Sequence, residues 1–131
     1  ALSLNLDAYR NRRDAMLSVL EALASPRPDR ARLLRAAEEL SDAKNKTDYE
    51  PRLDALEALV RDLWLLQLDP ANARVVNYDL RERLVRLGGS VPPSDPPRWL
   101  TLVAELRAQL AVNINRRVAS DALFLTMASG H

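Results

Sequence analysis

The segment from Asp48 to Leu68 leaves this chain little choice of fold. Leu53, Leu56, Leu59, Val60, Leu63, Trp64 and Leu66 recur at helical spacing and cover more than half of a helix circumference. A helix apolar on so wide a face has to be buried against several neighbours. Pro51 falls in its first turn, where the missing N–H has no partner anyway. Asp69-Pro70 stops it. The remainder of the chain must therefore supply the helices that cover this central one.

It does so in pieces set off by helix breakers. A helix over Leu4 to Ala24, capped by Asn5 or Asp7, carries Tyr9, Met16, Leu20 and Leu23 on one face with Val19 beside them. Arg10, Arg12, Arg13 and Asp14 lie opposite, and Pro26 and Pro28 end the helix. Asp29 caps a second helix to about Ala43, with Leu33, Leu34, Ala37 and Leu40 as its buried stripe and Glu38 and Glu39 at the surface. The polar break Lys44 to Thr47 is the expected point of mobility and nicking. Asn77 or Asp79 opens a short fourth helix that turns Leu80, Leu84, Val85 and Leu87 inward and stops at Gly88-Gly89.

Val91 to Pro97 holds four of the eight prolines and reads as a stiff extended linker. Asp95 then caps a long helix striped by Trp99, Val103, Leu106 and Leu110. After an Asn-marked break at Asn113 to Asn115, Asn115 caps a last helix whose apolar face is Val118, Ala122, Leu123, Leu125 and Met127. No alternating run is long enough for a strand, and no fixed period repeats. The expected fold is all-α, a single bundle of five to six helices with residues 1–131 as one domain.

At 131 residues such a bundle buries roughly two-thirds of its unfolded surface and folds without staples. There is no cysteine, hence no disulfide framework and no thiolate metal site. A net charge of +1 argues against a strongly basic nucleic-acid binder. Only Lys44 and Lys46 are lysines, the other basic residues being arginine, and the heavy use of Arg, Ala and Leu reads as genomic base composition rather than chemistry. No apolar run approaches the roughly 18 residues of a membrane span, and the opening residues do not resemble a signal peptide. A cytoplasmic chain without membrane contact is expected. It starts without Met and reads as a processed protein or a fragment of a longer one.

Chemistry is constrained mainly by what is missing. Gly88, Gly89 and Gly130 cannot build a phosphate-cradling loop or a dinucleotide turn. With no Cys and a single terminal histidine, His131, neither a Ser-His or Cys-His nucleophile nor a His-based zinc site is available. No cofactor and no metal is expected. Asp54, Glu57 and Asp62 along the central helix read as solvated surface groups rather than an acid–base pair. Arg10, Arg12 and Arg13 read as a solvated face or an anion clamp. Arg81, Arg83 and Arg86 read as an outward face or as phosphate contacts, with Glu82 among them. Trp64 and Trp99 sit in leucine stripes and read as core rather than stacking platforms.

The last helical pair carries a resemblance. The string from Ala111 to Ala128 is similar to the closing segment of the delta-prime subunit of the bacterial DNA polymerase III clamp loader, which typically reads Asn-x-Asn-Pro-Arg-Leu-Ala-Leu-Glu and then leucines. Asn113, Asn115, Arg117 and Ala119 match. Val118 and Asp121 are conservative stand-ins, Arg116 replaces the usual Pro, and Ser120 replaces a Leu. Upstream, Val76-Asn77-Tyr78-Asp79-Leu80 resembles the family's Val-Asn-Pro-Asp-Leu, again without the Pro. The resemblance covers roughly the last two-thirds of the chain.

It implies a helical collar domain without catalytic activity, detached here from the AAA+ module that precedes it in the family. Such a collar holds the loader subunits in a ring during DNA replication. Its implied partners are the gamma/tau and delta collar domains, with only indirect association to DNA and the sliding clamp. A ring subunit needs two different faces, each burying about 800 Å² in a contact of standard size. Leu102 and Phe124 fall off the tidiest core stripes, so Leu102, Arg107, Arg117 and Phe124 are the expected interface residues. Asn113, Asn115, Arg116 and Arg117, with Asp121, form a polar cluster that reads equally as helix capping and as a subunit contact. Two other classes remain open on the residues alone. One is an Arg-rich nucleic-acid-binding or regulatory helical domain. The other is a small all-helical mutase-like enzyme, which needs an inward Arg–Glu constellation.

Overall fold

A computed structural model describes residues 2–112 and 115–129, without the side chains of Leu2 to Asn5, Ala43 and Asn45. Among the described residues there are six α-helices and no strand: α1 (Leu2–Ala24), α2 (Arg30–Ser41), α3 (Tyr49–Leu68), α4 (Arg81–Gly88), α5 (Asp95–Leu110) and α6 (Arg116–Ser129). The expected all-α bundle is what forms. No helix is long and apolar enough to cross a membrane among these residues.

The central position of α3 follows from its sequence. Leu53, Leu56, Leu59, Val60 and Leu63 are all fully buried, and α3 packs against α1, α2, α4 and α5. Trp64 is only partly covered, whereas Trp99 is buried and donates its indole N–H to the Met127 carbonyl at 3.1 Å. Arg98 donates to the carbonyls of Thr126 and Met127 as well. The start of α5 thus satisfies the free carbonyls at the end of α6. α6 packs chiefly on α2 and then on α5.

Helix boundaries show where local chemistry departs from simple patterning. α1 begins upstream of Asp7, so Asp7 is a residue within the helix, and the Asn5 side chain lies outside the described residues. Asp29 caps α2 as expected, accepting from the Arg32 amide. Lys44 to Thr47 does not dangle but lies in a 3₁₀ turn (Ala43–Asp48), with Asp42 accepting from the Lys44 amide.

Asp95 is not a cap. It is the first residue of α5, and Ser94 precedes it without a side-chain cap bond. Pro96 and Pro97 sit in the first turn, so the extended linker is shorter than the proline spacing predicts. Nor do the two glycines stop α4 through a left-handed residue, since Gly89 has φ −67°. Gly88 instead makes room for Gln67. A Cβ there would sit 3.3 Å from Gln67 Cγ, and Gln67 donates to the carbonyls of Gly88 and Val91.

Candidate functional site

Along α5 and α6, burial divides the expected interface residues. Phe124 is 0% exposed and belongs to the core, so it cannot meet a partner. The buried face of α6 is Ala119, Ser120, Leu123, Phe124 and Met127. Val118 and Ala122 point outward, contrary to the stripe drawn from periodicity. That stripe slipped by about one position because Ser120 is buried by a hydrogen bond rather than by hydrophobicity. Its hydroxyl lies 2.9 Å from the Tyr49 hydroxyl. Leu102 is half-buried and lines a shallow α5–α6 groove with Ala122 and Thr126.

Arg107 is occupied within the chain. It donates to the Glu50 carbonyl at 3.1 Å and pairs with Asp54 and with Glu57. Arg117 is exposed and pairs with Asp121 at 3.3 Å and Glu38 at 3.8 Å. Asn115 does what its chemistry predicts, its Oδ1 accepting from the amides of Arg117 at 2.9 Å and Val118 at 3.2 Å. Asn113 lies outside the described residues. Of the described members of the polar cluster, Asn115 caps α6, Arg117 is exposed but paired with Asp121 and Glu38, and Arg116 is partly covered over the Tyr49 ring.

The inward-facing charged groups are tied up in pairs and networks. Asp62 is not a solvated surface group: it is 1% exposed and accepts from the amides of Val76 and Asn77 and from Asn77 Nδ2. Asn77 Oδ1 in turn accepts from the Tyr9 hydroxyl at 3.2 Å. Arg13 is not on a solvated face either. It is buried and forms a two-point pair with Asp79. The Arg13 guanidinium holds Asp79 below the ordinary carboxylate value, with Arg10 adding a smaller pull. Arg12 pairs with Asp48, Arg52 with Glu39, and Arg83 with Glu21. Arg81 donates to the carbonyls of Ala73 and Pro70. Of the α4 arginines, Arg86 alone makes no such contact among the described residues. The Arg52–Glu39 pair lines an opening of about 380 Å³ with Arg32 and Arg35, and Arg12 and Asp54, each paired elsewhere, line another of about 360 Å³.

An opening of about 530 Å³ is lined by Lys46, Thr47, Tyr49, Glu50, Pro51, Leu110 and Arg116. Tyr49 is buried at its back, with the Arg116 guanidinium 5.3 Å from the ring centroid. Burial pushes the Tyr49 phenol above its ordinary value, against the opposing pull of the Ser120 hydroxyl and Arg116. The opening sets the cations Lys46 and Arg116 beside Glu50.

What periodicity did not foresee is a set of apolar side chains left in water. Val76 is 67% exposed and Tyr78 80%, and Tyr9, assigned to the core of α1 by its spacing, is 42% exposed. The three belong together, because Asn77 between Val76 and Tyr78 is bonded to Tyr9. The signal was present in the sequence as Val75-Val76, two valines in a loop that no helix claims. A second set, Val112 and Val118, stands exposed where α5 ends and α6 begins.

Set against family models, curated proteins and solved structures, the chain finds no match in any of the three comparisons.

Proposed function

We propose that this chain is a non-catalytic assembly domain, a helical collar of the clamp-loader delta-prime type that holds neighbouring subunits in a ring during DNA replication. The observation that carries the reading is that, of nine large apolar side chains exposed among the described residues, five fall at two places on different elements, the others being Leu6, Leu34, Leu68 and Val85. One group is Tyr9, Val76 and Tyr78, on α1 and the α3–α4 loop. The other is Val112 and Val118, at the junction of α5 and α6. Exposed large apolar groups gathered in this way mark contact surfaces. A ring subunit uses two unlike surfaces, one for each neighbour. Val118 also follows Arg117, one of the residues expected at the interface.

Phe124 drops out of the interface, and Arg107 serves α3. On the α5–α6 side the candidates are therefore Val112, Arg117 and Val118 at the junction, with Leu102 farther along α5 beside Ala122 and Thr126. The test is reconstitution with the complete gamma/tau and delta subunits encoded in the same genome, followed by size-exclusion chromatography with light scattering. Assembly of a defined complex is expected, weakened by Val118→Asp and left intact by Arg86→Ala. Failure of the unaltered chain to join either subunit overturns the reading.

A further inference from the structure

We propose that the opening where α1, α2 and α3 meet binds a small organic phosphate, a phosphate monoester with an apolar body. The opening has a volume of about 380 Å³, within the range of small-molecule pockets. Three arginines line it, Arg32 and Arg35 from α2 and Arg52 from α3. The inference goes beyond the assembly reading and does not rest on it, since the ligand meets a single chain.

Arg52 carries the argument. It is 9% exposed, and none of its nitrogens makes a hydrogen bond among the described residues. Its Nε is enclosed without an acceptor. Its ion pair with Glu39 spans 3.9 Å, and the Glu39 side chain is 66% exposed. Arg13, the other buried arginine, is met closely by Asp79, at 2.9 and 2.8 Å. A buried cation without close acceptors is costly. An anion seated in the opening that Arg52 lines supplies them.

The other two arginines add reach and charge. Arg32 and Arg35 stand one turn apart on α2. Arg32 donates to the Ser18 hydroxyl of α1 at 2.7 Å. Arg35 is exposed and makes no ion pair or hydrogen bond among the described residues. Against these three guanidinium groups the lining sets one carboxylate, Glu39. Two positive charges are therefore in surplus, which matches a phosphate monoester close to its dianionic form.

Shape favours phosphate over carboxylate. Guanidinium forks donate in pairs to the oxygens of either group. Here the forks come from two helices, with the Ser18 hydroxyl on a third. A tetrahedral group with three terminal oxygens accepts from several sides, whereas a carboxylate offers two oxygens in one plane. Met16 and Ala36 also line the opening and give the body of the ligand an apolar wall.

The experiment titrates the chain calorimetrically, at low ionic strength, with phenyl phosphate, inorganic phosphate, phthalate and phenol. Phenyl phosphate is expected to bind at one site, inorganic phosphate and phthalate about tenfold more weakly, and phenol not at all. Arg35→Ala and Arg52→Lys are each expected to weaken phenyl phosphate about tenfold. Arg86→Ala, at an exposed arginine outside the opening, is expected to leave it unchanged. Arg35 is exposed and unpaired, so its variant is expected to fold, which circular dichroism checks. It keeps the test decisive even if Arg52→Lys, at a buried position, does not fold. No binding of phenyl phosphate, full affinity in Arg35→Ala, or an equal loss in Arg86→Ala overturns the site. Phthalate as tight as phenyl phosphate overturns the phosphate assignment, and inorganic phosphate as tight overturns the apolar body.

Discussion

Asn77 donates its side-chain amide to the buried Asp62 carboxylate at 2.9 Å, across fifteen residues of chain. With the amides of Val76 and Asn77, the carboxylate receives three hydrogen bonds. A buried charge is tolerated only when its acceptor sites are filled, and here the loop after α3 fills them. Asp62→Ala leaves the loop donors without their acceptor in a covered site. We expect a loss of about 2–4 kcal/mol in urea unfolding. Tyr9→Phe removes only the outer link and is expected to cost about 1 kcal/mol or less. Equal losses in the two variants would show that the network is not graded from the inside out.

Phe124 separates core from interface. Its ring is fully enclosed, so Phe124→Ala is expected to destabilise the chain by about 3–5 kcal/mol. Thermal unfolding of the isolated chain reads this without any partner. A variant with unchanged midpoint would return Phe124 to the surface.

Removing the Asn115 side chain tests the α6 cap. Asn115→Ala frees the amides of Arg117 and Val118, and a loss of about 1 kcal/mol is expected, with Asn115→Asp close to the unaltered chain. Chemical denaturation followed at 222 nm measures both. The Asp variant also places a negative charge at a helix N-terminus, which is favourable.

Tyr49 makes stability depend on alkaline pH. Burial raises its phenol above the ordinary 10.0, so the folded chain keeps a proton that the unfolded chain releases. The associated stability is complete below pH 10.0 and falls as the pH rises through the folded-state value. Tyr49→Phe is expected to flatten the decline seen in denaturant midpoints above that point. It also leaves Ser120 without its phenolic partner, a small loss at neutral pH. A decline of the same slope in both chains would assign the effect to other groups.

Helical periodicity made most of the fold legible, because α2, α3 and α5 bury side chains chiefly for being apolar. It failed where polar pairing decided burial. Arg13 goes inside because Asp79 meets it, Ser120 because Tyr49 meets it, and Asp62 because a loop folds over it. None of these partners is near in sequence, so no local pattern announces them. Tyr9 shows the reverse error. Its spacing fits the core face of α1, yet it stays 42% exposed beside α3 and its hydroxyl donates to Asn77. The interface candidates shared this weakness, since Phe124 was placed outside by a stripe that Ser120 had displaced.

The packing of α2 chiefly against α6 has a consequence for synthesis. Leu33, Ala37 and Leu40 leave the ribosome well before α6, the helix that mainly covers them. Until Ala119 to Met127 arrive, that leucine row is open to chaperones and to other nascent chains. The α2–α6 seam therefore closes only after α3, α4 and α5 have been made, and a product stalled before Ala119 leaves it unfinished.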